Sequence, residues 1–137
     1  MRNELMFKNS GDDRETPQDF FEKVNNIFNL SVDVCAGKEN TKLPRFFSEE
    51  DDGLSKSWAG ERVWCNFPYS QSRLWLKKCA LESEAMVVVL CPARTETKAW
   101  FEWVYPYVDY IVFVRGRLKF NGMKSGAPFP SVLLIYR

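Results

Sequence analysis

Four consecutive residues, Asn66-Phe67-Pro68-Tyr69, bring together groups that can act on the exocyclic amine of an aromatic base such as adenine. The lone pair of such an amine is delocalised into the ring. Two acceptors aimed at its hydrogens help to localise that pair and stabilise the charge that develops during methyl transfer. The Asn66 side-chain oxygen and the Phe67 carbonyl oxygen are two such acceptors. Pro68 holds the preceding residue extended, and the Tyr69 ring can stack on a base taken out of a duplex.

The same four residues have a plainer interpretation, in which Asn66 caps the following helix and Tyr69 packs. Their position favours the chemical one. They follow a predicted strand over residues 62–65 and precede a predicted helix over residues 71–81. Ligands of α/β sheets bind beyond the carboxyl ends of the strands, so the segment is expected at the ligand-binding edge.

Asp33 is the second candidate. It lies in a predicted strand over residues 30–34, and the small residues Cys35, Ala36 and Gly37 follow it and permit a ligand to approach closely. Its carboxylate suits an ammonium group, and it equally suits capping of the turn. Asn40 and Asp52 lie further along the same edge and suit hydroxyl or amine groups, although the acidic run over residues 49–52 is equally typical of a solvated surface.

Strand and helix patterns alternate along the chain and position these candidates. Thr16 is predicted as the N-cap and Pro17 as the first residue of an amphipathic helix over residues 17–28. The all-apolar run 86–90 is typical of a central parallel strand. A second helix is predicted over residues 71–81, with Leu74, Trp75 and Leu81 on the face that also carries Lys78. A further helix is predicted over residues 95–104. Further strands are predicted over residues 45–47, 110–114 and 131–136, and residues 117–120 are expected to continue the strand over residues 110–114.

This alternation predicts an α/β fold, a compact Rossmann-like sheet that is mostly parallel and ends in an antiparallel strand pair. With 137 residues, the chain suits one domain over residues 16–137, preceded by a polar segment over residues 1–15. It has no histidine, which excludes histidine-dependent acid–base schemes, and its four cysteines have no zinc-type spacing. We expect reduced thiols, no metal, no membrane partner and a cytoplasmic location, because neither a spanning run nor a signal peptide is seen.

Charge is unevenly distributed. Residues 1–61 contain 8 basic and 13 acidic residues, and residues 62–137 contain 11 basic and 5 acidic residues. A basic second half suits a polyanion, although random surface variation explains the asymmetry equally well. Basic residues interleaved with aromatic ones suit phosphate contacts. The candidates for DNA contact are Ser70, Arg73, Arg94, Arg117, Lys119 and Lys124.

The ordered series of these motifs resembles the phage-type DNA N-6-adenine methyltransferase family from residue 16 to the C-terminus. The elements that carry the resemblance are Thr16-Pro17, Asp33-Val34-Cys35-Ala36, Asn40, Asp52-Gly53-Leu54, Trp58, Asn66, Pro68-Tyr69-Ser70, Pro92-Ala93-Arg94-Thr95, Trp100-Phe101, Gly116-Arg117-Leu118, Phe120 and Pro130-Ser131. The resemblance implies a class I methyltransferase fold that uses S-adenosylmethionine as cofactor and DNA as substrate. By that resemblance Thr16, Pro17 and Asp33 contact the cofactor, and Asn66, Pro68 and Tyr69 match the catalytic signature. Cys35, Ala36, Asn40 and Asp52 are further cofactor candidates from their position after the first strand, and Phe67 is the further catalytic candidate.

Two departures from the family pattern are visible. Phe67 replaces the first proline of the Asn-Pro-Pro-Tyr signature, which removes a ring restraint and adds bulk near the target base. Only 33 residues separate Asp33 from Asn66, so the sheet is expected to be shortened in its middle. With no separate recognition domain, loops over residues 53–60 and 121–130 are expected to read a short target sequence. Methylation of an RNA base or a glutamine amide, and a degenerate module that only binds DNA or protein, are the alternatives; a monomer and a homodimer are both open.

Overall fold

The computed structural model describes residues 15–120 and 126–137. Three α-helices, five strands and two short 3₁₀ turns are found there. In chain order they are α1 (Gln18–Phe28), β1 (Val32–Asp33), a 3₁₀ turn (Gly53–Ser55), β2 (Arg62–Cys65), a 3₁₀ turn (Tyr69–Gln71), α2 (Ser72–Leu81), β3 (Met86–Pro92), α3 (Lys98–Trp103), β4 (Tyr110–Phe113) and β5 (Ser131–Tyr136).

The five strands form one mixed sheet in the order β1-β2-β3-β5-β4. The pairs β1–β2 and β2–β3 are parallel, and β5 runs antiparallel to both β3 and β4. The predicted α/β class, the central position of the apolar strand β3 and the antiparallel C-terminal pair are therefore confirmed. The carboxyl ends of β1, β2 and β3 lie at one edge of the sheet, and this edge carries the sequence candidates.

Both faces of the sheet are covered, because side chains of successive strand residues point to opposite sides. On one face Val63, Val87 and Val89 pack with Trp75 and Trp100 of the helices α2 and α3. On the other face Trp64, Val88 and Leu90 form a second cluster with α1 and with residues 118–129 where these are described. Phe21 of α1 contacts Trp64 edge to face, with 5.1 Å between ring centroids. This contact holds α1 across the parallel half of the sheet.

The connection between β1 and β2 is irregular apart from one 3₁₀ turn. Residues 34–61 connect β1 to β2 without an α-helix. The backbone of Asp33 pairs instead with a returning loop, donating to the Arg45 carbonyl at 3.1 Å and accepting from Phe47 N–H at 2.9 Å. Only an isolated bridge, Asp33 to Phe46, stands where a strand over residues 45–47 is predicted. Gly53 then passes so close to β1 that an added Cβ would lie 2.2 Å from the Val34 carbonyl oxygen.

Two predicted details are wrong. The inward face of α2 consists of Trp75, Leu76 and Cys79, whereas Leu74 and Leu81 are exposed. Leu74, Trp75 and Leu76 are adjacent apolar residues, so the sequence alone does not decide which side of this short helix faces inward. Tertiary packing buries the Trp75 side. Residues 117–120 do not continue a strand, because the chain turns away at Gly116, which has φ +69°. Positive φ is a conformation that glycine adopts without strain.

Several elements are shorter than predicted. β1 contains two residues, and α3 begins at Lys98 after a turn. All four cysteines are unpaired thiols, and three of them are buried, as expected. Within residues 15–120 and 126–137, no helix has the length and apolar character needed to cross a bilayer.

Candidate functional site

Parallel pairing of β1 and β2 brings Asp33 and Asn66 to the same edge. Asp33 is aligned with Trp64, and Val34 N–H donates to the Trp64 carbonyl at 3.1 Å. Asn66 follows Trp64 by two residues, a rise of about 7 Å along an extended chain. Aligned residues of neighbouring strands share a face, so Asp33 and Trp64 both lie on the side of the sheet that α1 covers. The two candidates are therefore near neighbours on one edge.

The Asn66 amide is held at both ends by hydroxyl groups. Its Nδ2 donates to Thr16 Oγ1 at 2.9 Å, and its Oδ1 accepts from the Tyr69 hydroxyl at 3.0 Å. Thr16 is only 1% exposed, so water has little access to the first of these bonds. A primary amide held in this way has a fixed plane and a fixed oxygen position, which preorganises an acceptor.

Thr16 does not cap α1, contrary to the prediction from sequence. The N-cap residue is Pro17, and no side-chain hydrogen bond caps this helix. The Thr16 hydroxyl is directed at Asn66 instead, fifty positions further along the chain. Threonine before proline is a common helix-start pattern, and nothing in the local sequence indicates that a distant amide competes for the hydroxyl.

Asp33 is a buried carboxylate, 3% exposed, that organises the loop after β1. Its Oδ1 accepts from Cys35 N–H at 3.3 Å and its Oδ2 from Lys42 N–H at 3.0 Å. Burial raises the pKa of Asp33 to about 6, while the two backbone hydrogen bonds and the charge of Lys42 act in the opposite direction. Each carboxylate oxygen has a second acceptor site. A cation that approached this edge would find an anion already positioned near neutral pH.

Lys42 is a residue of the site that the sequence reasoning missed. Its side chain is 4% exposed. Its Nζ pairs with the Glu15 carboxylate at 3.3 Å and donates to Gln18 Oε1 at 3.1 Å. The loop after β1 is thereby tied to the start of α1, where Thr16 lies. A lysine among polar loop residues carries no signal that distinguishes it from a solvated one, so only the fold reveals this role.

The other cofactor candidates lie on the same loop at different depths. Cys35 and Ala36 are half-buried directly after β1. Asn40 closes a turn, with its Oδ1 accepting from Gly37 N–H at 2.7 Å. Asp52 is exposed, has φ 55° and precedes the close passage of Gly53 beneath Val34. Asp52 therefore lies near the end of β1, with its side chain accessible from solvent.

The remaining residues of the Asn-Phe-Pro-Tyr segment divide between core and surface. Phe67 is 1% exposed and packs in the cluster that contains Trp75 and Trp100. Its ring lies in the core and also borders a cavity that Tyr69 lines, so crowding of the target base stays a prediction. Pro68 is extended, with φ −64° and ψ 118°. The half-buried Tyr69 ring contacts the Phe67 ring edge to face at 5.8 Å.

An aromatic cluster continues from the half-buried Tyr69 to the buried Phe129 in the loop before β5. The Phe129 ring lies 5.5 Å from the Tyr69 ring, and the Arg94 guanidinium lies 5.8 Å from the Phe129 centroid. Beside them is a cavity of about 70 Å³, whose lining includes Thr97 and Trp100. Aromatic faces beside a cation are the chemistry that unstacked bases bind. Phe129 was not singled out by sequence; flanking prolines were the available signal.

Comparison with known proteins now adds to this geometry. Residues 4–137 match the family model described as DNA N-6-adenine-methyltransferase (Dam). The chain belongs to this family. It is 29% identical over 117 residues to the DNA N-6-adenine-methyltransferase of Haemophilus phage HP1, covering 81% of this chain and 67% of that protein. It is 34% identical over 90 residues to the DNA N-6-adenine-methyltransferase of Escherichia phage T1, covering 64% of this chain and 37% of that protein. The chain thus spans about two thirds of the first relative and about a third of the second.

The candidates for DNA contact occupy two places. Ser70 and Arg94 are exposed beside the site, whereas Arg73 pairs with Glu102 at 3.0 Å and joins α2 to α3. Arg117 and Lys119 are exposed on the segment after Gly116, and Arg117 donates to the Ala127 carbonyl at 3.4 Å. Lys124 lies outside the described residues.

Loop 53–60, which was predicted to read the target sequence, packs against α2. Trp58 Nε1 donates to the Gly53 carbonyl at 3.0 Å, and Lys78 Nζ donates to the Lys56 carbonyl at 2.6 Å. Gly60 N–H then donates to the Glu84 carbonyl, close to the start of β3. The loop ends at the amino-terminal edge of the sheet, opposite the site. Among the described residues no cluster of acidic, cysteine or histidine side chains suits a metal ion.

Proposed function

We propose that this chain transfers a methyl group from S-adenosylmethionine to N6 of adenine in DNA. The observation that carries the proposal is the Asn66 amide, fixed between Thr16 and Tyr69 beside the buried carboxylate of Asp33. Membership of the DNA N-6-adenine-methyltransferase family supports the same chemistry. The family match does not favour a module that only binds DNA or protein.

The residues at the edge fit the proposed cofactor. The cofactor carries an ammonium group, a carboxylate, a sulfonium and an adenosine, and when bound it supplies the electrophilic methyl group. Asp33 offers a carboxylate for the ammonium group, and burial among backbone donors fixes its position. Thr16 and Pro17 would border the methionine part, Cys35 and Ala36 allow close approach after β1, and Asn40 and Asp52 would lie toward the adenosine.

Asn66 is proposed to act on the target amine through its side-chain oxygen. A carbonyl oxygen has two lone pairs, so Asn66 Oδ1 accepts a target N–H together with, or in place of, the Tyr69 hydroxyl. The Phe67 carbonyl accepts the second N–H. Both acceptors favour the form of the amine in which positive charge develops on nitrogen. The proton then leaves to water, so no general base is required.

Thr16 and Tyr69 are proposed to orient the amide. Thr16 accepts from Nδ2 and Tyr69 donates to Oδ1, so the two hydroxyl groups fix which end of the amide carries the acceptor. Tyr69 in addition offers its ring to the flipped base, next to Phe129 and Arg94. The exposed residues Ser70, Arg117 and Lys119, together with Lys124, would contact the DNA backbone.

Methylation of DNA tests the proposal directly. Purified protein is incubated with adenine-containing DNA and isotopically labelled S-adenosylmethionine, the DNA is digested, and nucleosides are analysed by mass spectrometry. We expect labelled N6-methyldeoxyadenosine from the unaltered chain and none from Asn66→Ala. Asn26→Ala, on the exposed side of α1, is the matched control and should retain full activity.

Cofactor binding is measured in parallel by calorimetry, because Asn66→Ala should leave it largely intact. RNA and a glutamine-containing peptide are included as competing substrates. Methylation of either one without methylation of DNA would overturn the proposed substrate. Cofactor binding without transfer to any of the three would overturn the proposed enzyme activity in favour of a binding module.

A further inference from the structure

The strand β4 forms one edge of the sheet and carries an unusual apolar surface. Among the described strands it has β5 as its single neighbour. Tyr110, Val112 and Phe113 are 53%, 44% and 73% exposed. Edge strands of soluble proteins are commonly protected by lysine, proline or inward-pointing charges. The four residues of β4 include none of these, so this edge is open to pairing with another strand.

The hydrogen-bonding groups of β4 show which residues are available. Val114 N–H donates to the Ser131 carbonyl at 3.2 Å, on the β5 side. Residues in an antiparallel pair bond alternately to one side and to the other. Val112 is therefore directed at β5 like Val114, and the N–H and C=O groups of Ile111 and Phe113 point away from the sheet. The alternation holds from Tyr110 onward, because Asp109 N–H, just before the strand, also donates to β5, to the Ile135 carbonyl at 2.9 Å.

Opposite charges flank the strand. Asp109 precedes β4 and Arg115 follows it one residue after Val114, and both are exposed. One Asp109 oxygen accepts from Arg137 N–H at 2.7 Å, and the carboxylate has further acceptor sites. A segment with an acid at one end and a base at the other is electrostatically complementary to itself when two copies run antiparallel.

We propose that β4 pairs antiparallel with β4 of a second copy of this chain, forming a two-fold dimer with a continuous ten-stranded sheet. The register that places Val112 on the axis aligns the outward groups of Ile111 with those of Phe113 of the partner subunit. The same register places Asp109 opposite Arg115 of the partner subunit. Backbone geometry permits this alignment, and the flanking charges select it among the alignments that pair outward groups. The interface is isologous, as two-fold symmetry requires.

The apolar side chains complete the match. Val112 meets its symmetry mate on one face, flanked by Tyr110 and by Val114 of the partner subunit. On the other face Ile111 lies opposite Phe113 of the partner subunit. Aromatic and β-branched residues are favourable cross-strand pairs. We assign the partner strand to a second copy because its β4 necessarily carries the complementary order of charges. An unrelated strand has no such requirement.

Sedimentation equilibrium of the full chain tests the proposal. The chain has a mass of 16.0 kDa, and we expect the dimer mass at concentrations of tens of micromolar. Val112→Lys places two lysines together on the axis and should give the monomer mass. Phe101→Lys removes an aromatic side chain of α3 that is 63% exposed and should remain dimeric. Thermal melts followed by circular dichroism verify that each variant is folded.

A mixing experiment tests the register itself. Asp109→Arg alone sets arginine against arginine across the axis, and Arg115→Asp alone sets aspartate against aspartate, so each should be monomeric. Mixed together, the two variants restore an attractive pair at both ends and should form a heterodimer. A monomeric unaltered chain, a dimeric Val112→Lys, or a mixture that stays monomeric would each overturn the proposal. The methylation assay is read separately, so its outcome does not bear on this interface.

Discussion

Replacing Thr16 by valine should slow methyl transfer without abolishing cofactor binding. Valine keeps the shape of threonine and removes the acceptor for Asn66 Nδ2, which lies 2.9 Å from Oγ1 at a position that is 1% exposed. Leaving a buried donor unsatisfied costs about 1–3 kcal/mol. The amide relieves that cost by turning, which displaces Oδ1 from the target amine. Since about 1.4 kcal/mol corresponds to a factor of ten in rate, kcat should fall roughly 10- to 100-fold.

Steady-state kinetics with a saturating DNA duplex separate this role from a direct cofactor contact. If Thr16 acts through Asn66, kcat falls, the KM for S-adenosylmethionine changes little, and Thr16→Ser restores most of the rate because serine keeps the hydroxyl. Thr95→Val, at an exposed position, is the control. An unchanged kcat in Thr16→Val, combined with a raised KM for the cofactor, would show that the reasoning about the amide is wrong.

Three further predictions concern Asp33, Phe67 and Gly53. Because burial raises the pKa of Asp33 from 3.8 to about 6, cofactor affinity measured by calorimetry should weaken about tenfold per pH unit below that pKa, and Asp33→Asn should bind weakly at all pH values. Raising the pH from about 4 to about 6 should itself lower the stability of the cofactor-free protein at this group, since the folded state there holds the proton more tightly. Phe67→Pro restores the family signature but empties a buried ring position. The melting temperature should therefore fall, by an amount equivalent to about 3–5 kcal/mol as for other lost core aromatics, and the rate of methyl transfer should not rise. A faster enzyme of equal stability would contradict this prediction. Gly53→Ala should also lower the melting temperature, because its Cβ would lie 2.2 Å from the Val34 carbonyl oxygen, whereas Gly60→Ala meets no atom within 4 Å and should lose only the smaller energy of its positive φ.

Periodicity and strand composition predicted the central sheet because these signals are local. The apolar runs of β3 and β5 can be satisfied only by burial on both faces, and the predicted positions of both strands are confirmed. The buried face of α2 could not be predicted from local sequence, because Leu74 and Leu81 are as apolar as Leu76. Only contact with Trp58 and the sheet decides which face of the helix is buried.

The candidate site was predictable where it depends on strand ends and hidden where it depends on long-range partners. Asn66 and Asp33 follow or end strands, and the parallel order brings them to one edge. The contact between Thr16 and Asn66 spans fifty residues, and that between Tyr69 and Phe129 spans sixty. Neither leaves a spacing signal in a single sequence, because such pairs are set by how α1 and the last loop pack against the sheet.

The two edge strands of the sheet, β1 and β4, are covered to different extents. At the β1 edge the returning loop bonds to both the N–H and the carbonyl of Asp33, through Arg45 and Phe47, so the edge is closed by the same segment that shapes the carboxylate. That arrangement uses residues 34–47 for the site and leaves none of them for further strands. At the opposite edge β4 receives no comparable cover from the described residues, and its apolar side chains are exposed. A sheet whose β1 edge is closed by the loop of the candidate site can be extended only at β4. The proposed second copy would add its strands there without disturbing Asp33 or Asn66.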